Sequence, residues 1–187
     1  MRKILFGFSA AALVTMVAMA ADAPAPGLGK VLDGEIKAAE SEIVSLAEAM
    51  PADKYDFAPT GGEFSGVRTF SQQMSHIAAV IYLVSANSLG EKNPSEAGPN
   101  ENGPATLKGK DAVVKYLKDA FTYGHKAAAN LTAENALDAM PSPFGSGKMP
   151  RMAMVSLAVW HSFDHYGQSV IYARMNGIVP PASRPRK

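Results

Sequence analysis

The chain has 187 residues, with 18 Lys and Arg against 17 Asp and Glu, four His and no Cys. A near-balanced charge without a basic stripe leaves no electrostatic footprint for nucleic acid, so none is expected as a partner. The missing cysteine excludes disulfides, thiolate metal ligands, a cysteine nucleophile, a lipid-anchored cysteine and CxxCH haem attachment.

Residues 1–20 read as a secretory signal peptide. Arg2 and Lys3 precede an apolar run from Ile4 to Val17, and Ala18-Met19-Ala20 has the small-x-small pattern of a cleavage site. The run is short of the roughly 20 residues that span a bilayer, so no stable membrane insertion is expected. Cleavage after Ala20 would deliver a periplasmic or secreted protein beginning at Ala21. It removes two basic residues and no acid, leaving 16 Lys and Arg against 17 Asp and Glu. Residues 21–187 then suffice for one domain with a substantial core.

From Gly29 to Met50 the apolar positions Leu32, Ile36, Ala39, Ile43, Leu46 and Met50 step by three and four, the helical period, and Pro51 ends the segment. Ala52 to Gly66, with Pro59 and Gly61-Gly62, is a loop. Ser65 is a candidate N-cap for a second helix from about Val67 to Leu89. Its stripe is Phe70, Met74, Ile77, Ile81 and Val84, with His76 at the stripe's edge and Gly90 as the stop. The stretch to Gly109, with Pro94, Pro99 and Pro104, reads as an exposed crossover. A third helix starts near Asp111 and carries Val113, Val114, Leu117, Phe121, Ala128 and Leu131. The loop Pro141-Ser142-Pro143-Phe144-Gly145-Ser146-Gly147 precedes a fourth helix, which begins near Pro150 and stops at Asn176-Gly177 before Pro180-Pro181. No β alternation of useful length is present. Four amphipathic helices with two long connections predict an all-α, four-helix bundle.

The chemistry concentrates on the fourth helix. His161 and His165 lie one turn apart on one face, in a stripe with Met154, Leu157, Ala158, Gln168 and Tyr172 that should face the bundle interior. Two buried cationic imidazoles would repel and lose solvation, whereas two neutral ones sharing a divalent cation resolve both problems. His76, on another helix, is available as a third nitrogen donor. Three ligands leave a coordination position open, as in catalytic sites. The same spacing also suits ordinary core histidines hydrogen-bonded to their neighbours. Asp164 and Gln168 are close enough to orient an imidazole or contact a substrate. His125, at the flank of the third helix's stripe, reads as a surface or structural histidine. Trp160, Phe163, Val170 and Ile171 occupy the opposite side of the fourth helix and need a second burial surface.

Several blocks together resemble the DinB-like family, the YfiT-like metalloenzymes. They are Tyr55-Asp56-Phe57-Ala58-Pro59-Thr60, then Phe64-Ser65-Gly66-Val67-Arg68-Thr69-Phe70 leading to His76, then Trp160 to Gln168, and finally Arg174-Met175-Asn176-Gly177-Ile178-Val179-Pro180-Pro181. The resemblance covers nearly all of the chain beyond residue 20. It implies an up-up-down-down bundle, often dimeric, with one divalent ion held by residues that map onto His76, His161 and His165. The expected cofactor is a divalent transition metal: zinc, nickel or iron. Some relatives transfer low-molecular-weight thiols and others are isomerases. Export would separate this chain from the intracellular thiol pool, so a metal-dependent hydrolase or group transferase is expected, with a non-catalytic metal- or small-ligand-binding bundle as the alternative. A homodimer through the outer face of the fourth helix is expected as well. Because binding requires neutral imidazoles, the metal affinity of this site is expected to fall as pH drops below roughly 6.5.

Overall fold

A computed structural model describes residues 26–185; the segment read as a signal peptide lies outside them. Four helices form the body: α1 (Leu28–Ala49), α2 (Phe70–Leu89), α3 (Gly109–Ala129) and α4 (Arg151–Met175). Single 3-10 turns lie at Ala52–Lys54, Pro99–Glu101 and Pro181–Ser183. No described helix is long and apolar enough to cross a membrane.

The apolar spacing of α1 does what its period predicts: Leu32, Ile36, Ala39, Ile43 and Leu46 are all buried. At its start Gly29 lies against α3 so closely that a Cβ would sit 2.6 Å from the Ala128 carbonyl oxygen, so only glycine fits. The second helix begins later than its sequence suggests. Thr69, not Ser65, is the N-cap, because Thr69 and Gln72 close a reciprocal capping box. The loop feeding it is tied down by Phe70 N–H donating to the Phe57 carbonyl and Ser71 N–H to the Tyr55 carbonyl. Its end is as expected, with Gly90 in the left-handed conformation at φ 72°. A small antiparallel ribbon, β1 (Ala139–Pro141) with β2 (Lys148–Pro150), pairs Met140 with Met149 across the Pro141–Gly147 loop. Strands of three residues are too short to show alternation, so the sequence reads there as loop alone.

Helix directions follow from which ends meet. Gly29 touches Ala128 while Lys110 Nζ reaches the carbonyls of Glu48 and Met50, so α1 and α3 run antiparallel. Gln73 meets His165 and Ser88 meets Arg151, so α2 and α4 are antiparallel too. Ser75 shares a cavity wall with Val113 and Glu91 bonds Tyr123 and Lys126, so α2 and α3 are parallel. The chain order is therefore up-down-down-up, which corrects the expected up-up-down-down arrangement. The cause lies in the connections: α1 hands over to α2 at one end of the bundle, and residues 90–108 are the crossover that returns along its length. Each helix packs on α3 and α4 or on α1 and α2, with α1 diagonal to α2. Phe70, Phe121, Ile43, Leu46, Met74, Ile77, Leu117 and Met154 fill the centre. Burial of each such side chain contributes about 1.5–3 kcal/mol.

Candidate metal centre

The antiparallel pairing of α2 and α4 sets His76 opposite His161 and His165. His76 and His165 are 4% and 7% exposed, and His161 is half-buried. Ring centroids are 4.9 Å apart for His76 and His161, 4.6 Å for His76 and His165, and 4.5 Å for His161 and His165. One nitrogen from each ring lies within 4.8 Å of the other two.

Hydrogen bonds decide which nitrogen each ring offers. His76 Nδ1 lies 2.9 Å from the Glu101 carbonyl oxygen, which only accepts, so Nδ1 carries the proton and Nε2 a lone pair. His165 Nδ1 likewise donates to Gln73 Oε1 at 2.7 Å, and Gln73 is itself held by donating Nε2–H to Gln168 Oε1 at 3.0 Å. His161 Nε2 sits 3.2 Å from His76 Nε2. Two rings thus turn lone pairs inward, and the third has at most one proton to offer there. A divalent cation accepts all three lone pairs at once, so the donor set fits a metal of the zinc, nickel or iron type. Outer hydrogen bonds of this kind fix ring orientation and raise ligand basicity. His161 is the exception, since its Nδ1 is buried without a partner among the described residues.

The electrostatics favour the ligating form. Burial, then the neighbouring His165, His76 and Arg68, push His161 down to about 3. Burial and His76 push His165 down to about 4, with Asp164 opposing. His76 is also lowered, by burial first, against the Glu101 hydrogen bond. His161 and His165 therefore stay neutral well below pH 6.5 and His76 is shifted the same way, which corrects the expected loss of metal near pH 6.5 to a lower pH.

Other residues fall as follows. Gln168 reaches His165 through Gln73, whereas Asp164 is exposed, with no hydrogen bond to any of the three rings, and acts on His165 through its charge. His125 is far from the cluster in a structural role, bonding Asp33 and Glu40 of α1. Trp160, Phe163 and Ile171 are exposed. Gln73, Glu101 and Asn102 escape sequence reasoning, because each acts through a partner at least 25 positions away. A polar cavity of about 430 Å³ is walled by Gly66, Val67, Arg68, Gln72, Gln73, Asn100, Asn102 and Gln168, and it meets the cluster through Gln73, the partner of His165; none of the three histidines lines it.

Fold and site together define a four-helix bundle with a three-histidine cluster compatible with metal binding. The chain belongs to the DinB superfamily, whose family model matches residues 35–169. It is similar in structure to a DinB-like protein from Bacillus cereus, with 15% identity, a TM-score of 0.61, and coverage of 80% of this chain and 95% of that one. A DinB-like protein from Bacillus subtilis matches at 17% identity and TM-score 0.59, covering 83% of this chain and 99% of that one. A conserved protein from Enterococcus faecalis matches at 13% identity and TM-score 0.63, covering 81% and 98%. At such identities the likeness speaks for the fold. No curated protein matches the chain at a significant level.

Proposed function

We propose that His76, His161 and His165 hold one divalent transition ion and that the protein is a metal-dependent hydrolase or group transferase. The observation that carries the metal is the pair of fixed tautomers: Glu101 O and Gln73 Oε1 take the Nδ1 protons and leave Nε2 of His76 and His165 as inward lone pairs. When bound, such an ion polarises a substrate oxygen or lowers the pKa of a bound water toward neutrality. The chain's own contribution is to hold three neutral imidazoles in place and to supply a polar cavity next to them. Gln168, through Gln73, keeps His165 from rotating out of the cluster. The cavity meets the cluster through Gln73, which lines it and accepts from His165, and the hydrolase or transferase reading rests on an open coordination position there.

Export and self-association belong to the same proposal. Export rests on the order of Arg2-Lys3, the apolar run and Ala18-Met19-Ala20. Association as a homodimer rests on the apolar outer face of α4, where Trp160 and Ile171 are exposed. Elemental analysis of protein purified without a histidine tag tests the metal: about one transition ion per chain is expected, and a folded protein that takes up none from zinc-, nickel- or iron-containing buffer would reject it.

A further inference from the structure

The cavity beside the cluster contains one full charge. Arg68 lines it together with Gln72, Gln73, Asn100, Asn102 and Gln168, and no acidic side chain does. The guanidinium is held at two points: Nε–H donates to Asn102 Oδ1 at 2.8 Å and Nη2–H to the Asn100 carbonyl at 2.9 Å. Its backbone is tied to α4, where Tyr172 Oη–H donates to the Arg68 carbonyl at 3.1 Å. A guanidinium has five N–H donors, so these contacts leave both Nη1 hydrogens and one on Nη2 without a described partner. No carboxylate pairs with it among the described residues.

The backbone that clamps Arg68 also serves the cluster. Asn100 and Glu101 adopt left-handed conformations, φ 53° and 55°, which non-glycine residues retain where the surroundings enforce them. Through this turn the Asn100 carbonyl faces Arg68 and the next carbonyl, of Glu101, faces His76. Arg68 is near enough for its charge to act on all three histidines. One turn thus holds both the His76 ring and a guanidinium that has no carboxylate partner among the described residues, from consecutive carbonyls.

We infer that this cavity binds the carboxylate of a small hydrophilic monoanion, with Arg68 taking the charge and the surrounding side-chain amides taking its polar groups. One guanidinium with neutral amides matches a single negative charge, and its planar donors match a carboxylate two by two. A phosphate dianion would leave one charge uncompensated, since no lysine lines the cavity. The inference rests on the metal reading for its part in a reaction, but the binding it describes is measurable in metal-free protein.

The test titrates lactate and its uncharged isostere lactamide into metal-free and zinc-loaded protein, for the wild type, Arg68→Gln and Arg68→Lys. Wild type should prefer lactate by about tenfold or more in metal-free protein, the scale of charge-assisted pairing. Arg68→Gln should lose that preference, and Arg68→Lys should keep part of it. Equal affinity for the two probes, or a preference that survives in Arg68→Gln, would overturn the subsite. A preference seen only in zinc-loaded protein and indifferent to Arg68 is a direct metal contact, which overturns the subsite and leaves the metal centre standing. Should Arg68→Gln fail to fold by circular dichroism, NMR of the wild type decides: lactate, and not lactamide, must shift the Arg68 Nε–Hε and Asn102 side-chain amide signals.

Discussion

Gln73 shows how much a single side chain does here. It accepts from His165 Nδ1 and donates to Gln168, and it is 2% exposed. Replacing Gln73 by Leu keeps similar volume but leaves the His165 N–H buried without an acceptor. Metal affinity should drop by about 10- to 100-fold, the usual cost of losing an outer-sphere partner, with the three ligands intact. Competition against a chromophoric chelator measures this; unchanged affinity would show that His165 needs no orienting bond. His125 makes the opposite kind of contact. Burial disfavours its charge, but the hydrogen bonds it donates to Asp33 and Glu40, with their negative charge, outweigh burial and raise its pKa above 6.5. A raised folded value means that the stabilisation is complete below about pH 6.5 and is lost as pH climbs through the folded value. His125→Ala should therefore cost more at pH 6 than at pH 9, by about 1 kcal/mol or less since the group is partly solvated. Denaturant melts at the two values provide the check.

At the scale of elements, periodicity made the helices legible: the stripe Leu32, Ile36, Ala39, Ile43 and Leu46 is the buried face of α1, and His161 and His165 share the inward face of α4 because four residues make about one turn. The start of α2 was misread because Ser65 and Thr69 are both suitable caps, and only the reciprocal bond with Gln72 distinguishes them. The residues 97–103 were legible only as an exposed loop. Their role depends on a turn in which Gly98 is pressed so tightly against Gly103 that a Cβ would fall inside its carbonyl. Gly98 also sits at φ 68°. Replacing Gly98 by Ala should displace this turn and with it the acceptors for His76 and Arg68. We expect metal affinity to fall several-fold while helical circular dichroism at 25 °C changes little, because no helix is touched. Retained affinity would mean that the turn does not support the site.

The whole molecule was less legible than its parts. Helix directions depend on which ends the loops join, and the sequence does not state that residues 90–108 run back along the bundle. The outer face of α4 is a different matter: Trp160, Ile171 and Met175 are 58%, 55% and 55% exposed, with Phe163 beside them. Burial of such a face between two copies is our proposal for a homodimer. Phe163→Glu should then raise the dissociation constant by at least about tenfold, since a charge enters a desolvated contact, and a wild type that is monomeric by light scattering at micromolar concentration would end the proposal. The central claim is that three histidines from two helices hold one ion. Its most direct test strips the protein with chelator, reloads it with zinc at pH 7.5, and counts bound metal per folded chain. The account predicts about one ion in the wild type and in His125→Ala, and a near-complete loss in His165→Ala. Equal zinc in the wild type and His165→Ala would contradict it.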